Sequence, residues 1–429
     1  MMEKLDIPGV SVAVVHNGRV EWARTWGVKL AGEVLDPHAM FQAASVSKPV
    51  VAMAALSIAA EGKIDLDTDV NHYLSSWKIP ENDFTATEKV TLRRLLSHTA
   101  GVSSFTVDDG GPAGEAPTLL QILRGEGPTA AGPVTVDMVP GSEHRYSNEG
   151  YAIVQQLLID VERKPFPQIM EERVLNPLEM NHSTFEQPLP AALLAHTASG
   201  HTGDGQPVPG RGYVYYNMGA GGLWSTASDL AAFVIEIQRS SAGHSNKVLS
   251  QEFTQLMLYD PVSGHGLGLD VSDKAAGASF GHYGHTRGFM CRFIATVEGG
   301  DGVVIMSNSN KSIPLMEGIA FAVAKEYGWS DAATPRVIEP YDISTEALEA
   351  YTGTYKVGDY PVVIDLVGGR LTISHFEGED VLLPVSETVF LQQLDGIELT
   401  FVKNKLGEIE AVSLMGGRLR LNRVDRIED

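Results

Sequence analysis

The pattern of apolar and polar positions predicts an α+β region followed by an all-β region. Two apolar runs flank Asn17-Gly18, a dipeptide typical of a tight hairpin turn, so two antiparallel strands are expected near the start. Helical periodicity or all-round apolar character predicts helices at 49–62, 92–98, 148–164, 224–240 and 313–328. Strand-like runs lie at 264–271, 288–300 and 301–310. The helix in 224–240 has a capping pattern, Thr226 with Asp229.

The character of the chain changes around 329–340. Beyond this stretch, short alternating runs are separated by turn residues, with hairpin turns expected at 367–370 and 405–408. This pattern is typical of a small antiparallel β-barrel. The sequence therefore predicts two domains, 1–335 and 336–429.

Composition narrows the classes of partner. The 429 residues carry 32 basic and 54 acidic side chains, a net charge of −22, which disfavours binding to nucleic acid or anionic lipid. No apolar stretch approaches the roughly 20 residues of a membrane span. Because a strand is predicted almost at the first residue, the protein is expected to be cytoplasmic, or exported with a leader absent from this sequence. The one cysteine, Cys291, lies in a strand-like run and is expected to be a buried apolar residue.

The first candidate for chemistry is Ser45, three residues before Lys48 at the head of an apolar helix. A serine hydroxyl needs a base, and a lysine can be that base only if its surroundings lower its pKa. Pro49 is tolerated only in a helix's first turn, so the helix is expected to begin close to Ser45. The alternative is an ordinary helix start, in which Ser45 and Ser47 are equal candidates for the cap.

The second candidate is Tyr146-Ser147-Asn148, in a loop immediately before a predicted helix. A tyrosine beside a lysine can shuttle the serine proton, and an asparagine two residues on points the same way in an extended segment. The alternative is a helix cap, Ser147 or Asn148, preceded by a packed tyrosine.

The third candidate is the strand "FGHYGHTRGFMCRF". Gly281, Gly284 and Gly288 are expected to keep one side of it bare, so that a substrate backbone can pair along its edge. His282 and His285 would lie on opposite faces of a strand, and no further ligand stands out by spacing, so no metal or other cofactor is expected.

Together these stretches resemble the penicillin-recognising serine hydrolases, in particular the branch of class C β-lactamases, D-Ala-D-Ala carboxypeptidases, D-aminopeptidases and family VIII carboxylesterases. Ser-x-x-Lys, Tyr-x-Asn and a His-x-Gly strand occur in the family's order over about residues 5–330. The resemblance implies an antiparallel sheet flanked by helices plus an all-helical subdomain. The C-terminal region looks like the lipocalin-like barrels of some D-aminopeptidase-like members.

The resemblance also implies roles for residues. Ser45 would be the acylated nucleophile, Lys48 and Tyr146 would share the proton transfers, and Asn148 would orient the substrate amide. The oxyanion hole would be formed by the backbone N–H groups of Ser45 and His285. His98, in "LSHTAG", is expected to be structural and to bond to the backbone.

His282-Tyr283-Gly284 stands where β-lactamases of this branch have Lys-Thr-Gly. The alternative frame, His285-Thr286-Arg287, lacks the glycine. A neutral histidine is a poorer receptor for a substrate carboxylate than lysine. The sequence therefore favours a hydrolase of D-amino-acid-containing peptides or small esters, with a weak β-lactamase or an acyltransferase as alternatives. The expected partners are a small molecule or short peptide and, as one role for the C-terminal domain, a second copy of the chain.

Overall fold

The computed structural model describes residues 1–103, 110–127, 132–272, 278–329, 341–357, 360–375, 378–393, 397–414 and 419–424. The chain divides into two compact units, Met1–Thr334 and Pro335–Asp429. The predicted boundary at 335/336 falls in 330–340, outside the described residues, so it stays a prediction.

The first unit is built on an antiparallel sheet. Its strands and those of a small second sheet are β1 Gly9–His16, β2 Arg19–Leu30, β3 Glu33–Val34, β4 Phe41–Gln42, β5 Trp224–Ser225, β6 Asp270–Ser272, β7 Ser279–Thr286, β8 Phe289–Thr296 and β9 Gly302–Ser307. Among the described residues, the main sheet has seven strands in the order β3-β2-β1-β9-β8-β7-β6, and β4 pairs with β5.

Successive side chains of β1 point to opposite faces of the sheet, and an apolar cluster packs against each face. Val10, Val12 and Val14 join one apolar cluster. Ala13 and Val15 join the larger cluster on the other face. The predicted hairpin is confirmed: β1 pairs antiparallel with β2, and Asn17 and Gly18 have positive φ angles of 53° and 69°.

Helices cover the sheet and fill the stretch between β4 and β5. They are α1 Met2–Leu5, α2 Ser47–Ala60, α3 Leu92–Leu96, α4 Leu119–Arg124, α5 Asn148–Glu162, α6 Phe166–Met170, α7 Ala191–Leu194, α8 Met218–Gly221, α9 Ala227–Ser241, α10 Gln251–Leu258 and α11 Ile313–Glu326. A further helix, α12 Thr345–Leu348, belongs to the second unit. In the parts of the chain that the structure describes, the helices fall short of the length and apolar character that a bilayer crossing requires.

Helix α2 is buried from Ser47 to Ile58, as its all-round apolar sequence predicts. It packs against α5, α8 and α10.

Two sequence predictions are wrong in their bounds. The strand expected at 264–271 is mostly a turn that leads into β6, where Gly264 and Gly268 have positive φ. The helix expected at 92–98 ends at Leu96, because His98 is left-handed with φ 57°.

The second unit is a closed antiparallel barrel, as predicted. Its strands are β10 Gly353–Val357, β11 Tyr360–Val367, β12 Arg370–His375, β13 Gly378–Pro384, β14 Val389–Gln392, β15 Glu398–Lys403, β16 Ile409–Leu414 and β17 Leu419–Arg423. Pairing of β10 with β17 closes the barrel. Aromatic side chains such as Tyr355, Phe390 and Phe401 fill its interior.

Candidate active site

The turn that carries Ser45 lies between β4 and α2. Ala44–Val46 form a single 3-10 turn, and the α-helix proper begins at Ser47, two residues later than Ser45. Ala44 has a left-handed φ of 49°, a conformation that costs a non-glycine residue about 1–2 kcal/mol. The chain therefore stores strain immediately before the serine, a common feature of functional turns.

The two serines of this turn have different surroundings. Ser47 is fully buried; its Oγ donates to the Ala44 carbonyl at 2.6 Å and accepts from the Leu223 N–H at 3.0 Å. Ser45 is half-buried, and its Oγ lies 3.0 Å from Nζ of Lys48. Ser47 thus holds the turn to the segment before β5, and the geometry favours Ser45 as the nucleophile.

Lys48 is fully buried, as the sequence argument requires for a lysine that acts as a base. Its Nζ donates to the Ala220 carbonyl in α8 at 2.8 Å. Nζ also lies over the rings of Tyr146 and Tyr151, 4.8 and 5.7 Å from their centroids. Nζ of Lys48 therefore lies within hydrogen-bond distance of both the Ala220 carbonyl and Ser45 Oγ, the position from which a proton can be exchanged with the serine.

Ala220 could not be identified from the sequence, because it acts through its carbonyl and any residue type supplies one. The available signal was the run of glycines around it. A Cβ on Gly219 would lie 2.6 Å from the Tyr151 carbonyl, so this turn fits closely against α5 only without side chains.

Tyr146 and Tyr151 differ in burial. Burial, followed by the neighbouring charge of Tyr146, raises the pKa of Tyr151 well above its ordinary value. Tyr151 therefore stays neutral and donates to the Leu96 carbonyl at 3.2 Å. Tyr146 is the half-buried phenol of the pair, and it is the one expected to exchange protons.

Asn148 is the first residue of α5, and Ser147 is the helix cap. The Ser147 Oγ accepts from the Gly150 N–H at 3.0 Å and donates to the Ser103 carbonyl at 3.2 Å. The prediction that Tyr146 to Asn148 form an extended segment is therefore wrong, because α5 already begins at Asn148. Asn148 nevertheless remains at the site, since α5 starts beside α8, where Asn217 Nδ2 donates to the Asn148 carbonyl at 3.4 Å.

Strand β7 supplies the third side of the site. His282 is 3% exposed, and its ring centroid lies 6.3 Å from that of Tyr146. Its Nδ1 lies 2.5 Å from the Tyr283 carbonyl and must carry the proton that it donates there. His285 is exposed, at a position of opposite parity along the strand.

Of the three glycines expected on one side of the strand, one meets the nucleophile turn. A Cβ on Gly284 would lie 2.2 Å from the Ala43 carbonyl, whereas one on Gly281 would meet the Phe293 carbonyl of β8. Gly288 lies beyond the strand, in the turn to β8, with φ 86°. The prediction that the three glycines lie on one side of the strand is therefore wrong. Of the three, Gly284 is the one that lets β7 approach Ala43.

The edge of β7 next to the serine is suited to an extended substrate. Within the described residues, β6 pairs with β7 along Ser279–Gly281 and stops before His282. The following stretch, His282–Thr286, runs beside the 3-10 turn of Ser45. A substrate backbone that pairs there would lie within reach of the serine oxygen.

Replacing Gly284 by alanine is expected to lower kcat/KM by about 100-fold, because a shift of roughly 1 Å in the nucleophile turn has an effect of that size. The added Cβ would lie 2.2 Å from backbone, which yields less readily than a side chain. Gly318→Ala, in α11, is the control: its Cβ would meet only ordinary contacts with Met1. Unchanged kcat/KM in a folded Gly284→Ala variant would contradict the placement of β7 against the active serine.

Comparison with known proteins identifies the family of the chain. The Beta-lactamase family model matches residues 1–327. The chain belongs to the beta-lactamase family. The predicted antiparallel sheet, helical region and C-terminal barrel are confirmed as the fold of a beta-lactamase-like protein.

Individual beta-lactamase-like relatives are distant. Protein flp of Staphylococcus aureus (strain MW2) is 27% identical over 188 residues, which are 43% of this chain and 36% of that protein. The chain thus spans about a third of this curated relative. The solved structure of SurE with D-Leu has a TM-score of 0.67 at 20% identity, covering 99% of this chain and 96% of that one. The octameric penicillin-binding protein homologue from Pyrococcus abyssi has a TM-score of 0.61 at 20% identity, covering 98% and 97%.

The sequence also raised Cys291 and a metal-binding histidine pair as candidates. Cys291 is fully buried, as expected, and burial raises the pKa of its thiol, so it stays protonated. No group of three or more His, Cys, Asp or Glu side chains with metal-binding geometry occurs in the described part of the chain.

Proposed function

We propose that the protein is a serine hydrolase that forms an acyl-enzyme on Ser45 and cleaves D-amino-acid-containing peptides or small esters. The observation that carries this proposal is the placement of Lys48 Nζ, 3.0 Å from Ser45 Oγ and 2.8 Å from the Ala220 carbonyl. A fully buried lysine held in this way has the position of a general base toward the serine hydroxyl.

In the proposed reaction, Ser45 Oγ attacks the acyl carbon as its proton passes to Lys48 or through Tyr146. The carbonyl oxygen becomes an oxyanion that the N–H groups of Ser45 and His285 stabilise. The bond to the amine or alcohol then breaks, and the leaving group takes a proton from the same pair. Water attacks the acyl-enzyme, releases the acid and restores the Ser45 hydroxyl.

The substrate class is argued from His282. Since its Nδ1–H donates to the Tyr283 carbonyl, a neutral His282 ring would carry no proton on Nε2, and that nitrogen would be an acceptor. Such a ring suits a substrate N–H or O–H better than a carboxylate, and this disfavours an efficient β-lactamase. The bound D-Leu in the solved SurE structure supports the choice of D-amino-acid substrates.

A substrate panel tests the proposed class. We expect D-aminoacyl amides, D-Ala-D-Ala peptides or short-chain esters to be cleaved with a larger kcat/KM than a cephalosporin, with the acyl-enzyme followed by intact mass. L-aminoacyl amides of the same side chains are the matched control and should be poorer substrates than the D-forms. Faster turnover of the cephalosporin than of every amide, peptide and ester would contradict the assignment.

Transfer of the acyl group to an amine or alcohol rather than to water is the second candidate reaction. It uses the same Ser45 adduct and differs only in the acceptor. An added amine or alcohol would accelerate turnover and appear in an acylated product.

The expected homo-oligomer also stays a proposal, supported by the description of the Pyrococcus abyssi homologue as octameric.

A further inference from the structure

The loop that presents Tyr146 is attached to His98. Nδ1 of His98 accepts from the Ser147 N–H at 3.1 Å, and the His98 carbonyl accepts from the Arg145 N–H at 2.7 Å. The His98 ring lies against the Tyr146 ring, with centroids 4.4 Å apart and planes tilted by 32°. The residues on both sides of Tyr146 and its ring are therefore all held by one histidine.

His98 is itself rigidly placed. It follows the end of α3 in a left-handed conformation, φ 57°, which histidine, asparagine and aspartate adopt more readily than other non-glycine residues. The next residue, Thr99, donates to the Arg94 carbonyl at 2.8 Å and accepts from the Gly141 N–H at 2.7 Å. The backbone on which the ring stands is fixed by these bonds to α3 and to the turn at Gly141.

The bond to Ser147 determines the protonation of the ring. A backbone N–H can only donate, so Nδ1 must be the unprotonated nitrogen and the ring is neutral with its proton on Nε2. A proton on Nδ1 would set two N–H groups against each other beside Tyr146. Protonation of His98 therefore breaks the bond to Ser147, whereas the bond from Arg145 to the His98 carbonyl does not depend on the ring.

Other titratable groups surround this pair of rings. The His98 ring also packs against Tyr151 at 5.3 Å and against exposed His144 at 5.9 Å between centroids. The His144 ring lies 4.6 Å from that of exposed His265, between centroids, with the planes tilted by 43°. Among the described residues, the charged or titratable groups near Tyr146 and its loop also include Lys48, Arg145 with its partner Asp137, Glu149 and His282.

We propose that His98 is a positioning residue for Tyr146: its neutral imidazole holds the phenol beside Lys48, and its protonation releases Ser147, the residue next to Tyr146, and lowers activity in acid. The proposal rests on the proposed role of Tyr146 in proton transfer. His98 does not touch the substrate, so the rate of acylation should depend on it far more than KM does.

Two substitutions separate the two contacts of His98. His98→Phe keeps a ring against Tyr146 but removes the acceptor for Ser147. His98→Asn places an amide oxygen near the position of Nδ1, suits the left-handed backbone and cannot be protonated, but removes the ring. His144→Asn is the matched control, an exposed histidine whose ring adjoins the same loop.

We expect His98→Phe to lower kcat on p-nitrophenyl acetate by about 10- to 100-fold with KM within about two-fold, because the phenol is misplaced. His98→Asn should lose less, and its kcat/KM should fall at a lower pH than that of the wild type. His144→Asn should match the wild type in both respects. Equal losses in kcat for the Asn and Phe variants, or an unshifted acid limb in His98→Asn, would overturn the proposal.

A double-mutant cycle with Tyr146→Phe separates this inference from the proposed function. If His98 acts through Tyr146, adding His98→Asn to Tyr146→Phe should change kcat by less than about two-fold. An undiminished effect of His98 in that background overturns the positioning role while leaving the mechanism intact. Unchanged kcat in Tyr146→Phe alone would instead remove the proton-transfer role of Tyr146 on which this inference rests, and would leave Lys48 as the base in the proposed function. His98→Asn carries the test if His98→Phe does not fold.

Discussion

Replacing Ser45 by alanine is expected to reduce kcat/KM on p-nitrophenyl acetate by roughly 10⁵-fold or more, the scale seen when a serine nucleophile is removed. The variant keeps Lys48 in place but has no oxygen to acylate. Ser45 is only half-buried, so losing its hydroxyl leaves a small gap. The left-handed φ of Ala44 does not depend on the Ser45 side chain, and we therefore expect the variant to fold. Initial rates and the thermal midpoint, measured on the same preparation, check both statements.

Ser47→Ala is the matched control for this result, since it also removes a serine hydroxyl, two residues from Ser45. It leaves the Leu223 N–H without its acceptor and should destabilise the protein by about 1–3 kcal/mol. Its turn loses one attachment, so activity should fall by no more than about ten-fold while Ser45 is still acylated. If Ser45→Ala keeps its activity and Ser47→Ala loses it, the two serines have been assigned in reverse.

Replacing Lys48 by methionine is expected to slow acylation by about 10²- to 10⁴-fold, the usual range for a general base. Methionine has a similar length and is apolar, so it fills the buried position without requiring a charge or a hydrogen bond. The Ala220 carbonyl loses its donor, which adds some loss of stability. Single-turnover acylation, followed by intact mass, measures the step directly.

The control for Lys48→Met is Lys63→Met, a half-exposed lysine just beyond the other end of α2. Lys63 pairs with exposed Glu61 and with the largely buried side chain of Glu162, and its loss should leave acylation unchanged. An acylation rate in Lys48→Met within about three-fold of the wild type would remove Lys48 as the base. Tyr146 would then be the candidate that takes the serine proton.

Much of the fold follows from the hydrophobic pattern. The Asn17-Gly18 hairpin, the buried helix α2 and the alternating strands of the barrel are strong local signals, and each is confirmed. The prediction of a strand at 264–271 was wrong in its bounds, because Gly264 and Gly268 adopt left-handed turns rather than an extended conformation. Glycine at alternating positions looks the same in both cases until the φ angles are known.

For the site, spacing could predict that Ser45 and Lys48 meet, since three residues close one helical turn. It could not predict the 3-10 turn or the left-handed Ala44, because no residue type there requires either conformation. The Ala220 carbonyl and the approach of Gly284 to Ala43 depend on tertiary packing between distant segments. The hydrogen bond from Ser147 to His98 likewise joins residues 49 positions apart.

The central claim is that Ser45 becomes covalently acylated. Its most direct test is to trap the acyl-enzyme with a fluorescent phosphonate or penicillin, digest the protein and map the modified residue by tandem mass spectrometry. The account predicts one stoichiometric adduct on Ser45 that is absent from Ser45→Ala and present in Ser47→Ala. An adduct on another residue, or turnover of substrate by a wild-type protein that never carries one, would contradict it.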